Sequence, residues 1–108
     1  MNWYGKMYLS SSLEDKAGQI MKEMEAGQFS KKVWVISIPV GEKDQLEIRR
    51  ASSLAYHGLW ESIPMIVGLA GSQKEAVGLI VQITGDCLRE RGDALLRSYL
   101  STDALPAR

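Results

Sequence analysis

Apolar and polar positions alternate at the start of the chain. In residues 3–9 (WYGKMYL) Trp3, Met7 and Leu9 share one parity and Tyr4, Lys6 and Tyr8 the other, which predicts a short strand. After three serines the period lengthens. Leu13, Ala17, Ile20, Met21 and Met24 recur at helical spacing, Glu14 and Asp15 lie early where acids suit the helix dipole, and Gly27 offers a stop. A helix is expected over 12–26, with Ser12 and Asp15 at the spacing of a capping box. Residues 32–40 (KVWVISIPV) read as a strand that is apolar on both parities. Val33 and Val35 share one face, and Trp34, Ile36, Ile38 and Val40 the other. Such a strand is normally covered on both faces. Pro39, which has no N–H for a ladder, belongs near its end or at an edge.

A turn at 41–44 and the alternation of 46–50 (LEIRR) predict a hairpin with that strand. Residues 52–60 suit a short helix, with Ser52 or Ser53 as cap. Residues 64–70 (PMIVGLA) read as a strand, and Ser72 with Glu75 as a second capping box. Ala76, Val77, Leu79, Ile80, Val81, Ile83, Cys87 and Leu88 then form a wide apolar stripe, predicting a helix over 73–90 that Gly92 stops. A last strand is expected at 94–100, with a fraying tail at 101–108. Leu13, Ala17, Ile20, Met24, Ile80, Ile83 and Cys87 are the expected core of the two helices.

The two halves echo each other at an offset of 60 residues. Leu9, Ser12, Gly18 and Ile20 answer Leu69, Ser72, Gly78 and Ile80. Each half reads strand, serine-led helix, strand. This order resembles the ferredoxin-like split βαβ architecture. It implies a single α+β domain over 1–108, an antiparallel sheet with both long helices on one face, and an insertion at about 41–63 that adds an edge strand and a short helix. Both serine turns then lie at one end of the sheet. The architecture hosts many unrelated functions and licenses no activity.

Charge adds mainly exclusions. Lys and Arg number 13 and so do Asp and Glu, giving zero formal charge, a poor basis for binding nucleic acid or an anionic membrane. One Cys and one His exclude a disulfide framework and disfavour a structural zinc site. The start of the chain has no secretory pattern, and no apolar run is long enough to span a bilayer, so the reading is a cytoplasmic protein without membrane association. With helices for one sheet face and a strand apolar on both, a second copy is the expected cover. This predicts a homodimer formed through the sheet.

The residues that could carry chemistry are few. Gly68-Leu69-Ala70-Gly71-Ser72 leads from strand to helix and could present free N–H groups to an anionic or other small ligand, although it lacks the glycine spacing of a dinucleotide fingerprint and the Lys of a phosphate loop. Tyr56 and His57 lie in the insertion. His57 could serve as a base only beside an orienting acid, with Asp44 and Glu61 as candidates. Cys87 sits late on an apolar helix stripe, where a structural role is expected. The aromatics Trp3, Tyr4, Tyr8, Trp34, Trp60 and Tyr99, with Arg49 and Arg97, could stack single-stranded RNA, but the sequence motif of such platforms is missing from 64–72. The leading expectation is a non-enzymatic binding or regulatory domain, with Gly68, Gly71, Ser72, Tyr56 and His57 as candidate ligand residues. A small enzyme around His57 is the alternative, followed by RNA binding. No cofactor and no metal are implied.

Overall fold

The computed structural model of the protein describes residues 1–39 and 45–103, with side chains to Leu100. Val40, the turn at 41–44 with Asp44, and the tail from 104 lie outside the described residues. Four strands are present among the described residues: β1 (Trp3–Leu9), β2 (Trp34–Ser37), β3 (Glu47–Arg50) and β4 (Ile66–Ala70). The helices are α1 (Ala17–Glu25), α2 (Leu59–Ser62), α3 (Gln73–Arg91) and α4 (Leu96–Asp103), with 3-10 turns at Ser11–Leu13 and Ala51–Ala55.

The sheet order is β1-β4-β2-β3. β4 pairs parallel with β1 and antiparallel with β2, and β2 pairs antiparallel with β3. The sheet is therefore mixed, and the architecture is α+β but not the split βαβ order. The expected hairpin forms, with Trp34 opposite Arg50 and Ile36 opposite Ile48. β3 is the edge strand that the 41–63 segment was expected to add.

The two long helices do not share one face of the sheet. Successive strand residues point to opposite sides, and along β2 they enter two different cores. Val33 and Val35 pack with Leu13, Met24, Leu54, Ile63, Ile66 and Leu69. Ile36 and Ile38 pack with Tyr4, Val67, Ala76, Leu79, Ile83, Cys87, Leu96 and Leu100. Thus α1, the 51–55 turn and α2 cover one face, while α3 and α4 cover the other. The two-sided strand does have its two-sided cover, but the chain itself supplies it. The uncovered face that motivated a face-to-face dimer is absent among the described residues. Of the expected helix core, Leu13, Ala17, Met24, Ile83 and Cys87 are buried, whereas Ile20 and Ile80 are half-buried.

β4 lies at the centre and is buried along its whole length. It contains an irregularity: Ile36 pairs with Gly68, but Ser37 pairs with Ile66, so Val67 is the extra residue. The bulge puts Val67 and Gly68 on the α3 side and returns Leu69 to the α1 side. Gly68 relieves crowding there. A Cβ would lie 3.0 Å from the Tyr8 carbonyl oxygen and 3.2 Å from Ile36 Cδ1. β1 also leaves the ladder, since Trp3 pairs with Ile66 and Tyr8 with Gly68.

Three helix expectations change. Residues 94–100 do not form a strand. Leu96, Tyr99 and Leu100 are buried while Leu95 and Ser98 are exposed, a helical i, i+3, i+4 face, and the Leu95 N–H bonds Asp93 Oδ1 at 3.1 Å at the entry to α4. The helix expected over 12–26 starts only at Ala17, and neither flanking cap residue makes a side-chain capping bond. The 52–60 helix is divided, because His57 and Gly58 take positive φ values of 57° and 67° and break it into the 51–55 turn and α2. By contrast, α3 follows the pattern closely: Ser72 caps it through the Glu75 N–H, and Gly92 closes it at φ 80°. No helix among the described residues is long and apolar enough to cross a membrane.

Candidate functional site

The two serine turns do meet at one end of the sheet. Leu9 and Leu69 are register partners, so the 60-residue offset is a register offset between parallel neighbours. Beyond them the Ser10 N–H bonds the Leu69 carbonyl at 3.1 Å. The Gly71 N–H is shared between Ser10 Oγ at 3.1 Å and Glu75 Oε1 at 3.2 Å. The Ser12 hydroxyl donates to Glu75 Oε1 at 2.8 Å. Hydrogen bonds from Ser10 and Ser12, helped by the Gly71 N–H, hold the Glu75 carboxyl below its ordinary pKa. The chain's own carboxylate thus takes up donors at the start of α3 that a bound anion could otherwise use. Gly71 is part of the same packing, since a Cβ would lie 2.5 Å from Ser12 Oγ. Gly68 serves the strand crossing described above.

Tyr56 and His57 lie between the 51–55 turn and α2, and both are exposed. The 3-10 turn and the left-handed pair His57-Gly58 place them at the surface. Among the described residues no acid forms an ion pair or hydrogen bond with the His57 ring. Glu61 lines a cavity with Trp60 and Phe29, while Asp44 lies outside the described residues. The aromatics proposed as a stacking platform are divided between the layers. Trp3, Trp60 and Phe29 pack together on the α1 side. Tyr4, Tyr8, Trp34 and Tyr99 lie on the α3 side, where Arg50 stacks on Trp34 at 4.8 Å. Arg49 instead pairs with Glu47. Cys87 is fully buried, and burial, followed by the nearby Asp93, pushes its thiol pKa up. Such a thiol is a poor nucleophile.

A different cleft gathers more chemistry. It lies where β1 passes the middle and end of α3, has a volume of about 390 Å³, and is lined by Tyr4, Lys6, Tyr8, Glu14, Gln82, Asp86, Glu90 and Tyr99 together with Met7 and Leu9. Tyr4 and Tyr8 project from the same face of β1, and their rings stack with centroids 6.1 Å apart and planes within 4°. Gln82, Asp86 and Glu90 follow one another at four-residue spacing, a single row along α3. The Tyr8 hydroxyl donates to Asp86 Oδ2 at 2.6 Å, tying strand to helix. The Tyr99 hydroxyl donates to Glu90 Oε1 at 2.9 Å, tying α4 to α3. Arg89 bonds the other oxygen of Asp86. Burial first, and then the Asp86 contact, raises the Tyr8 pKa above its ordinary value. The Tyr8 hydrogen bond, and then Arg89, lowers that of Asp86. At neutral pH the phenol is therefore a fixed donor and the carboxylate a fixed anion.

The chain matches no family model, no curated protein and no solved structure.

Sequence reasoning did not assemble this cleft. One signal was present in the chain: the polar row Gln82, Asp86, Glu90 borders the apolar stripe that buries α3. Placing Tyr8 beside it required knowing that β1 pairs with β4 and that α3 packs on the face from which Tyr4 and Tyr8 project. Among the described residues no group of His, Cys, Asp and Glu is arranged to hold a metal.

Proposed function

We propose that this chain is a non-catalytic binding domain that holds a small polar ligand in the cleft between β1 and α3. The observation that carries the reading is the convergence of Tyr4, Tyr8, Tyr99, Glu14, Asp86 and Glu90 on one cavity of about 390 Å³. That size falls within the roughly 300–1,000 Å³ usual for small-ligand sites. The stacked tyrosines offer a flat wall, and the carboxylates offer acceptors whose positions are held by bonds between secondary-structure elements. A ligand rich in hydrogen-bond donors suits that lining.

The protonation states support binding over catalysis. A general acid or base works best with a pKa near the operating pH. Here Tyr8 is moved up and Asp86 down, each away from neutrality, and the Cys87 thiol is moved up as well. The reading needs no second subunit, because both sheet faces are already covered. For a dimer, the sheet edges and the exposed α3 residues Val77, Val81 and Leu88 remain as surface.

The test is a panel of small amines, polyols and amino acids added to isotope-labelled protein. The expected result is a saturable shift of the Tyr8, Asp86 and Glu90 amides by at least one compound, weakened in Asp86→Asn. If no compound moves those amides, or if every responding amide lies elsewhere, the reading is wrong.

A further inference from the structure

On the opposite face of the sheet is a second cavity, of about 400 Å³, lined by Glu25, Ala26, Gly27, Phe29, Leu54, Ala55, Gly58, Trp60 and Glu61. We propose that it is a second, independent binding site, one that takes the alkylammonium head of a small organic cation.

Three features argue for that charge and that shape. The first is aromatic. Trp60 stands in the wall, packed edge-to-face with Trp3 with centroids 6.1 Å apart and tilted against Phe29 at 5.2 Å. Indole is the strongest of the side-chain rings for a cation, and an alkylated ammonium also has an apolar surface to bury against Phe29 and Leu54. The second is electrostatic. Glu25 and Glu61 both line the cavity, and no Lys, Arg or His does. The cleft used by the proposed function differs in its lining, which includes Lys6. The third is the backbone. Glu25, Ala26 and Gly27 are the last turn and cap of α1, so the cavity opens onto the negative end of a helix dipole.

Of the two carboxylates, Glu25 is already engaged. Glu25 accepts the Trp3 indole N–H at 2.8 Å and the Met1 amine at 3.3 Å, and those contacts, the indole first, keep its carboxyl below the ordinary pKa. Glu25 therefore remains an anion at neutral pH. Its charge is partly offset by Met1, which leaves Glu61 as the carboxylate for an incoming cation.

Choline is the probe, titrated at matched ionic strength while the three indole N–H resonances are followed. The Trp60 signal is expected to shift saturably at millimolar choline, with Trp34, on the far face, unmoved. The neutral isostere 3,3-dimethylbutanol should give no matching shift. Glu61→Gln, a change at an exposed position, should weaken choline about two- to fivefold, the equivalent of losing an exposed ion pair. Trp60→Leu should abolish binding, with its fold checked by circular dichroism because Trp60 also supports Trp3 and Phe29. A peptide bearing one trimethyl-lysine, run in parallel, separates sources: tighter binding than choline assigns the cation to a protein side chain, and equal or weaker binding to a free compound. No saturable Trp60 shift up to tens of millimolar choline, an equal response to the neutral isostere, or an unchanged affinity in Glu61→Gln would overturn the proposal. None of these results bears on the cleft at Tyr8 and Asp86, which lies across the sheet.

Discussion

The Ser12 hydroxyl donates to Glu75 across 63 residues of chain, at 2.8 Å. Both residues belong to sequence patterns that imply local capping boxes; the first does not form, and only half of the second does. Ser72 does receive the Glu75 N–H, but the Glu75 carboxylate reaches Gly71 and the first serine turn instead of its own cap residue. The contact joins the end of β1 to the start of α3. Because the Glu75 carboxyl is held below its ordinary pKa by Ser10, Ser12 and Gly71, its stabilising effect is complete above the unfolded value and disappears as pH falls through the folded one. Ser12→Ala should therefore melt below wild type at neutral pH, with the gap closing in strong acid. Melting curves measured from pH 7 down to about 2 test this. A gap that stays constant with pH would show that Ser12 acts through packing alone.

Gly68 gives a prediction about the sheet. Its missing Cβ leaves room for the Tyr8 carbonyl and for Ile36 Cδ1, so Gly68→Ala overpacks the centre of the sheet at a cost of about 1–3 kcal/mol. Ile36→Val removes the Cδ1 atom, and the double variant should recover part of that loss. Denaturant unfolding of the four proteins gives the coupling. Strictly additive losses would mean that the strain is relieved by the backbone and not by Ile36.

How far the fold was legible follows from which signals are local. The strands at Trp3–Leu9 and Ile66–Ala70 and the helix at Gln73–Arg91 are written in period, cap and stop, and they appear where expected. The segment after Asp93 is ambiguous in sequence because Leu95, Leu96, Tyr99 and Leu100 satisfy a short strand as well as the helix they form, and only burial distinguishes the two. Sheet order is a non-local property. Val35 and Ile36 announce that both faces need cover, but nothing in their neighbourhood says that α1 and the 51–63 segment supply one side and α3 with α4 the other. The candidate cleft shares that difficulty. Tyr8 and Asp86 are 78 residues apart, and the crossing of β1 beside β4 brings them together.

The two faces of α3 should behave differently. Ile83 is fully buried among Val67, Leu79 and Cys87, whereas Val81, two residues earlier, is 67% exposed. Ile83→Ala should lose about 2–5 kcal/mol, as buried large-to-small changes do. Val81→Ala should stay within about 0.5 kcal/mol of wild type. Equal losses at the two positions would contradict the packing of this helix on the sheet.

Cys87 should resist thiol reagents in the native state. Its side chain is fully buried, and burial together with Asp93 disfavours the thiolate. Labelling by a disulfide-exchange reagent at pH 8 should be far slower than in denaturant and should follow the unfolding equilibrium. Rapid native-state labelling would place the thiol at the surface.

The Tyr8–Asp86 bond allows the sharpest pH test, because its two ends are shifted in opposite directions. Asp86 has a lowered pKa, so its contribution is present above the unfolded value of 3.8 and is lost as pH falls through the folded one. Tyr8 has a raised pKa, so its contribution is full below 10.0 and falls away as pH climbs beyond that toward the higher folded value. The stability difference between wild type and Tyr8→Phe should therefore form a plateau between about pH 5 and 9 and shrink on both sides. In the same variant the Asp86 carboxyl, which keeps Arg89 but loses the phenol, should titrate at a higher pH than in wild type, as followed by its carboxylate resonance. Any ligand that bonds Asp86 in the cleft should bind Tyr8→Phe with altered affinity while the fold persists, since the ring and its stacking on Tyr4 are retained. A difference that is flat across the whole pH range, with an unmoved Asp86 titration, would mean that the short contact contributes neither to stability nor to the charge state of the cleft.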